Sequence, residues 1–206
     1  GIVRIPKIYK ISKNYYDMEY IDGLSMKQYL MEYDIKKLSI FISSVLKKFL
    51  IIEYRIKDYS DTYNIFLKNI KFEKFIFSKK NLFDKLPKKL PQTQYHGDFT
   101  LENIIFKKKN FFLIDCSEGI FDSFVFDYSK LRQDVEVLWF LRNKNNINNI
   151  IVLKLNFLKK EFSKIFKYYD NKYLLILMLL RVYRYTKKNS RERIFLIEKI
   201  NRIWKS

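Results

Sequence analysis

Three polar residues, Asp98, Asn103 and Asp115, have the types and the spacing that a phosphoryl-transfer site requires. Asp98 and Asn103 lie five residues apart in a loop, and Asp115 ends the second strand of a predicted hairpin that begins near Asn103. The hairpin would return Asp115 to the side of Asn103, so that an amide oxygen and a carboxylate converge as Mg²⁺ prefers. Asp98 would lie nearby, where it could accept a proton from a hydroxyl nucleophile. The pattern therefore predicts phosphoryl transfer, which needs metal ligands and a carboxylate that positions the nucleophile.

The sequence HGDFTLEN, followed by FLID, resembles the H-G-D-x-x-x-x-N … I-D motif of the aminoglycoside phosphotransferase and choline kinase family. This family is the small-molecule branch of the protein-kinase-like fold. Gly97 and Thr100 stand where protein kinases have arginine and usually lysine, which favours a small-molecule kinase. The spacing from Asp115 to Asp127 also matches the family, and YYDMEYIDGLSMKQYL is similar to the linker between its lobes. The resemblance extends from about Pro6 to Leu131.

The resemblance implies a phosphotransferase that uses ATP and Mg²⁺ to phosphorylate a hydroxyl of a sugar, a choline-like amino alcohol or an aminoglycoside. It implies an α+β fold, with a mostly helical C-terminal lobe over 25–206 that carries a short catalytic-loop hairpin. Residues 1–24 would be a β-hairpin remnant of the N-terminal lobe and the hinge. The implied site residues are Asp98 as catalytic base, Asn103 and Asp115 as magnesium ligands, His96 and Asp127 as supports of the catalytic loop, and the main chain of Glu19, Tyr20 and Ile21 as the partner of adenine.

Five further residues follow the loop. Asp134, Glu136 and Trp139 stand where this family often lines its acceptor pocket, and a carboxylate beside an aromatic ring could hold a cationic amine. The alternative is that these three are ordinary helix-face and core residues. Asp122 receives no role, because it stands one residue before the family's aspartate and no proline follows it. Cys116 replaces an aromatic residue, and we expect a small buried side chain rather than a reactive thiol.

A kinase of this fold also needs a Gly-rich loop over the phosphates and a phosphate-binding lysine ahead of the linker. The four glycines are Gly1, Gly23, Gly97 and Gly119, and none can form such a loop. One expectation is that the missing lobe belongs to a longer polypeptide, which the absence of an initial methionine favours. The other is an inactive, kinase-like binding module. A missing lobe would expose apolar hairpin surface and favour self-association.

The 206-residue chain has 41 lysine and arginine residues against 22 aspartate and glutamate residues, a formal net charge of +19. Such a charge can indicate a nucleic-acid partner. Alanine is absent, however, residues with AT-rich codons abound and the lysines are scattered, so codon bias explains the charge and a nucleic-acid role is disfavoured. The single cysteine excludes an intrachain disulfide and fits a cytoplasmic protein. The longest apolar run, Tyr173–Leu180, is shorter than the ~20 residues of a membrane span.

Hydrophobic periodicity and capping residues predict the elements that must position the motif. A β-hairpin over 4–24 should turn at Ser12–Asn14 and end at Gly23. Ser25 should cap a helix to about Tyr33, and Asp34 a longer one to about Tyr54. Further helices are predicted near 61–77, 127–142, 147–168, 170–188 and 190–204, and Ser190 should cap the last. The segment between Pro87 and Pro91 should be irregular. The strands NIIF and FFLID should be joined by Lys107–Asn110.

Overall fold

The computed structural model describes residues 3–12, 15–142 and 148–206. In this part of the chain it is an α+β fold, in which α-helices and small antiparallel sheets share one hydrophobic core. The fold class therefore agrees with the prediction. No helix within the described ranges combines the length and the apolarity that a membrane crossing requires.

The elements are numbered in chain order. The helices are α1 (Met26–Glu32), α2 (Ile35–Ile51), α3 (Ser60–Lys68), α4 (Lys79–Lys85), α5 (Phe124–Val135), α6 (Asn149–Ile165), α7 (Lys172–Tyr183) and α8 (Arg191–Lys205). The strands are β1 (Ile8–Ile11), β2 (Tyr16–Met18), β3 (Leu24–Ser25), β4 (Glu53–Asp58), β5 (Lys89–Thr93), β6 (Ile104–Lys107) and β7 (Asn110–Leu113). Short 3₁₀ turns occur at Leu101–Asn103, Trp139–Leu141 and Lys167–Tyr169.

The predicted N-terminal hairpin is present, but it is shorter than expected. Strand β1 pairs antiparallel with β2, which ends at Met18; of the predicted turn, Lys13 and Asn14 lie outside the described residues. The prediction that Gly23 ends the second strand is wrong, because β2 ends at Met18 and Gly23 instead precedes β3, which pairs with β6. A Cβ on Gly23 would lie 2.7 Å from the carbonyl oxygen of Phe106, so glycine allows this close pairing.

The predicted caps of the first two helices are confirmed. The Ser25 hydroxyl accepts a hydrogen bond from the Gln28 N–H, and the Gln28 side chain accepts one from the Ser25 N–H at 2.9 Å. Asp34 Oδ1 accepts the N–H of Lys36 at 2.7 Å and begins α2. Helix α2 ends at Ile51 rather than near residue 54, because the chain then extends into β4.

The region between α2 and the HGD motif differs from the prediction. Instead of one helix over 61–77, α3 ends at Lys68 and α4 follows separately, with Phe75 and Phe77 buried in the connection. The segment around Pro91 is strand β5, which pairs antiparallel with β4, and Pro91 lies opposite Ile56. Proline lacks an N–H group and weakens the sequence signal for a strand, although a two-stranded ribbon tolerates it.

Helix α5 is the central element. It begins at Phe124 and ends at Val135, earlier at both ends than predicted, and the Ser123 side chain caps it by accepting the N–H of Val125 at 3.2 Å. Every residue of α5 is buried, and the helix contacts α2, α6 and α7. Asp127 consequently lies in the first turn of a fully buried helix.

The last three helices complete the hydrophobic core: α6 and α7 contact α5, and α8 contacts α7. Helix α6 begins at Asn149, and Ile147, where we predicted its start, lies outside the described residues. Residues 174–180 of α7 are buried, and α7 contacts both α5 and α8. The predicted cap of α8 is confirmed, since the Ser190 hydroxyl accepts the N–H of Arg193 at 3.2 Å.

Asp122 joins the β4–β5 ribbon to the start of α5. Its carboxylate accepts hydrogen bonds from Lys57 Nζ at 2.7 Å and from the side-chain amide of Gln92. Its carbonyl accepts the N–H of Thr93 at 3.4 Å, and the Thr93 hydroxyl accepts the N–H of Phe124 at 2.8 Å. Burial alone would raise the pKa of Asp122, but the bonds from Lys57 and Gln92 lower it below its ordinary value.

We expect Asp122→Asn to lower the free energy of unfolding by about 1–2 kcal/mol at pH 7, because Lys57 loses its charged partner. A lowered folded-state pKa stabilises the fold above the ordinary aspartate value of about 4, and this contribution disappears as the pH falls through the folded value. Urea unfolding at pH 7 and pH 3 measures both effects. The exposed Asp17→Asn is the control and should change stability by less than about 0.5 kcal/mol. An equal loss at both pH values would contradict the ion pair.

Candidate functional site

The loop over residues 96–103, named here the HGD loop, is attached to the core by the carboxylate of Asp127. Asp127 is 1% exposed and accepts hydrogen bonds from the backbone N–H groups of His96, of Gly97 at 3.0 Å and of Phe99 at 3.4 Å. Burial raises the pKa of Asp127, whereas these three donors favour its ionised form. One buried carboxylate thus fixes the backbone at the start of the loop.

Gly97 allows the loop to turn tightly. Its φ is +83°, in the left-handed region, and a Cβ at this position would lie 2.0 Å from the carbonyl oxygen of Ser117. The N–H of Ser117 donates to the carbonyl of His96 at 2.9 Å, so the two segments are hydrogen-bonded at the point of closest approach. The carbonyl of Gly97 accepts a hydrogen bond from Arg181 Nη1 at 3.0 Å.

His96 supports the loop from inside the protein. It is 2% exposed, and its Nδ1 accepts the N–H of Asp98 at 3.3 Å. This bond assigns the ring proton to Nε2. Burial lowers the pKa of His96 to about 4, so the ring is neutral at physiological pH and can act as this acceptor.

Asp98 and Asn103 contact each other directly. The amide nitrogen of Asn103 donates to Asp98 Oδ2 at 3.0 Å and to the Asp98 carbonyl at 2.8 Å. The other carboxylate oxygen of Asp98 forms an ion pair with Lys130 of α5. About a third of the Asp98 side chain remains exposed, so one carboxylate is held by two neighbours and still faces solvent.

The β6–β7 hairpin returns the chain to Asn103, as the spacing predicts. The N–H of Ile114 donates to the carbonyl of Asn103 at 3.1 Å, and the next residue is Asp115. Asp115 is exposed and has a φ of +56°, which directs the chain out of β7. Asp98 and Asp115 line the same cavity.

This cavity, named here the polar cavity, has a volume of about 450 Å³. It contains two carboxylates, two basic side chains and a tyrosine, and could therefore accommodate a charged or strongly polar molecule. Its lining residues are Asp98, Asp115, Ser117, Lys130, Arg181, Val182 and Tyr185.

The sequence interpretation missed both basic residues of the polar cavity. Lys130 stands three residues after Asp127 on α5, which places both on one helix face, and its side chain is 7% exposed. Arg181 interrupts the apolar run of α7. These two features, helical spacing from Asp127 and a lone cation in an apolar helix, were the available signals. Burial and the charge of Arg181 lower the pKa of Lys130 to about 7, whereas the charge of Asp134 opposes that change.

A second, smaller cavity adjoins the first at Asp115. It has a volume of about 250 Å³, and side chains of the β1–β2 hairpin form one wall. Cys116 lines it and is exposed, so the prediction of a buried side chain is wrong; the left-handed backbone of Asp115 turns the chain outward here. Its partly desolvated position raises the pKa of the Cys116 thiol. The apolar lining residues of this apolar cavity are Ile5, Pro6, Ile8, Ile11, Tyr16, Met18, Leu113 and Ile114.

The predicted adenine-binding segment follows the hairpin. The N–H of Glu19 donates to the carbonyl of Lys7 at 2.7 Å, which occupies that donor. Tyr20 is exposed and Ile21 is buried. None of Glu19, Tyr20 and Ile21 lines the apolar cavity.

The three residues proposed for an acceptor pocket lie apart from the polar cavity. Asp134 is buried, its Oδ2 accepts the N–H of Leu101 at 2.8 Å, and burial raises its pKa to about 7. Glu136 forms an ion pair with Arg132. Trp139 is buried in the core. The structure brings Asp98 together with Lys130 and Arg181 instead.

Oxygen atoms of Asn103 and Asp115 are the candidate donors to a metal ion; Asp115 lines the polar cavity, whereas Asn103 is buried behind it in contact with Asp98. The amide oxygen of Asn103 accepts no hydrogen bond from the described residues, because the amide nitrogen faces Asp98. Within the described ranges, no three His, Cys, Asp or Glu side chains converge on one point. Two protein oxygens suit Mg²⁺, which usually takes its other ligands from water and substrate phosphates.

Comparisons with known proteins do not assign this chain to a family. No protein-family model matches this chain, and no curated protein is significantly similar to it. The hydrogen bonds, charges and cavities described above therefore carry the functional interpretation.

We expect Gly97→Ala to destabilise the protein by more than about 2 kcal/mol or to prevent folding, because the new Cβ would overlap the Ser117 carbonyl at a positive φ. Gly119→Ala is the matched control. A Cβ at Gly119 has no neighbour within 4 Å, so stability should change by less than about 0.5 kcal/mol. Thermal and urea unfolding measure both variants. Equal stability of the two would contradict the tight turn at Gly97.

Proposed function

We propose that this chain is the C-terminal lobe of a kinase-like phosphotransferase that transfers a phosphoryl group from ATP to a hydroxyl of a small molecule. The main support is that the apolar cavity and the polar cavity meet at Asp115. An apolar pocket suits a flat purine ring, and an adjoining cavity with acidic and basic groups suits phosphates and an acceptor. Asp98 of the HGDxxxxN motif lines the polar cavity, and Asp115 lines both cavities.

In this proposal each charged residue has a separate role. Asp98 accepts the hydroxyl proton as the acceptor oxygen bonds to the terminal phosphorus and the bond to the bridging oxygen breaks, which releases ADP. Asn103 and Asp115 hold Mg²⁺, which when bound neutralises phosphate charge. Lys130 and Arg181, which line the same cavity, offset the remaining negative charge. The Asn103 amide and Lys130 orient the Asp98 carboxylate between them.

A non-catalytic nucleotide-binding module is the second candidate. The observation that favours it is that both carboxylate oxygens of Asp98 are already engaged, one by the Asn103 amide at 3.0 Å and the other by Lys130. Such a module would use the same cavities without turnover. Binding and catalysis must therefore be measured separately.

Binding is tested by thermal unfolding with ATP, with and without Mg²⁺. A ligand at a hundred times its Kd stabilises the folded state by about 2.7 kcal/mol, so the Tm should rise by several degrees. Asp115→Asn should remove the part of the rise that depends on Mg²⁺, whereas Asp17→Asn should leave it unchanged. A chain whose Tm is insensitive to ATP under all conditions would contradict both candidates.

Catalysis is tested by ADP release with a panel of sugars, amino alcohols and aminoglycosides. Loss of a positioned base typically costs about 10²–10⁴ in rate, so Asp98→Asn should lower turnover by at least about a hundredfold. Asp17→Asn is again the control. Undiminished turnover in Asp98→Asn would refute the base role. ATP binding without turnover for any acceptor would favour the binding module.

A further inference from the structure

A third cavity, named here the basic cavity, lies apart from the candidate site. It has a volume of about 390 Å³ and is bordered by the end of α5 and by α6, α7 and α8. It shares no lining residue with the polar or the apolar cavity. Its charged lining residues are Arg132, Glu136, Lys159, Lys172, Lys199 and Arg202.

The inner wall of the basic cavity is a closed ion cluster. Arg132, whose side chain is 6% exposed, donates to both carboxylate oxygens of Glu136 and pairs with Asp170 at 2.7 Å. Arg132 Nη1 also donates to the carbonyl of Asn171 at 2.9 Å. The cluster contains one cation and two carboxylates, so it carries a net charge of −1 and its carboxylates are already engaged.

The other four basic lining residues form no ion pair with a carboxylate among the described residues. None of Lys159, Lys172, Lys199 and Arg202 has a carboxylate within 4.0 Å among the described residues. Lys172 Nζ donates to the carbonyl of Trp204 at 3.4 Å, and Lys199 Nζ lies 5.2 Å from the ring centre of Phe195. Four cations, the ion cluster of net charge −1 and the terminal carboxylate of Ser206, which also lines the cavity, leave an excess of two positive charges.

Helix electrostatics explains only part of this arrangement. A cation in the last turn of a helix is favourable, which accounts for Arg202 in α8. Lys172, however, is the first residue of α7, where the helix dipole disfavours a cation. Three helices therefore direct cations at one concave site, and like charges close together destabilise each other unless an anion lies among them.

We propose that the basic cavity binds a small molecule that carries phosphate groups. Lysines from separate helices suit a phosphate, which offers oxygens in several directions and up to two negative charges. The volume is within the range of about 300–1,000 Å³ for ligand sites and exceeds what one inorganic phosphate fills. This inference does not depend on the proposed function of the HGD loop.

The test is calorimetric titration of the complete 206-residue chain with pyrophosphate at low salt, without Mg²⁺. We expect saturable binding that Lys199→Gln/Arg202→Gln weakens by about tenfold or more, since two charge-assisted contacts are lost. The matched control is Lys187→Gln/Lys188→Gln, which removes the same charge from exposed positions outside all described cavities. Its affinity should stay within about threefold of the parent, because only the general field changes.

Arg181→Gln reports on the polar cavity, and it should weaken pyrophosphate binding less than Lys199→Gln/Arg202→Gln does. If the affinity falls with Arg181→Gln and not with Lys199→Gln/Arg202→Gln, pyrophosphate occupies the polar cavity and the proposal is refuted. Equal weakening in the two double variants, or the absence of saturable binding, also refutes it. Circular dichroism and Tm measurements check that each variant is folded.

Discussion

The position of the HGD loop depends on one buried carboxylate. Asp127 accepts three backbone N–H groups from the start of the loop, at a point from which water is excluded. Each of these N–H groups would cost about 1–3 kcal/mol if it were buried without a partner. The loop is therefore attached to α5, the most central helix, rather than to a surface element. The Asp98 side chain can face solvent in a defined position because Asp127 holds the backbone on both sides of it, at Gly97 and Phe99.

Two further attachments of the loop come from the same helix face. Asp127, Lys130 and Asp134 follow each other at three- and four-residue spacing, which places them in one row along α5. Asp127 binds the start of the loop, Lys130 contacts Asp98 in its middle, and Asp134 accepts the N–H of Leu101 near its end. Asp134 does not line the polar cavity; it positions the backbone of the loop at Leu101.

The features that could be predicted from the sequence are those that local interactions determine, such as helix caps. The side chains of Ser25, Asp34 and Ser190 bond N–H groups two or three residues away, so their capping roles could be recognised without the fold. The contact between Lys130 and Asp98 spans thirty-two residues and depends on how α5 packs, so spacing alone could not establish it. The β4–β5 ribbon was missed because β4 is largely exposed and β5 contains a proline. The exposure of Cys116 follows from the backbone conformation of Asp115, which residue types do not encode.

Charges on both sides of α5 restrict how this helix can sit in the core. Arg132, the fully buried helix's other cation, is turned away from the HGD loop and closes the ion cluster with Glu136 and Asp170. A shift of α5 by one residue would rotate its side chains by about 100°, which would separate these charges from their partners. Leaving a buried charge unpaired costs about 3–5 kcal/mol, whereas an intact buried pair adds little net stability over apolar packing. We therefore infer that the charged residues of α5 act mainly by selecting one helix register, the one that presents Asp127 to the loop and Arg132 to the basic cavity.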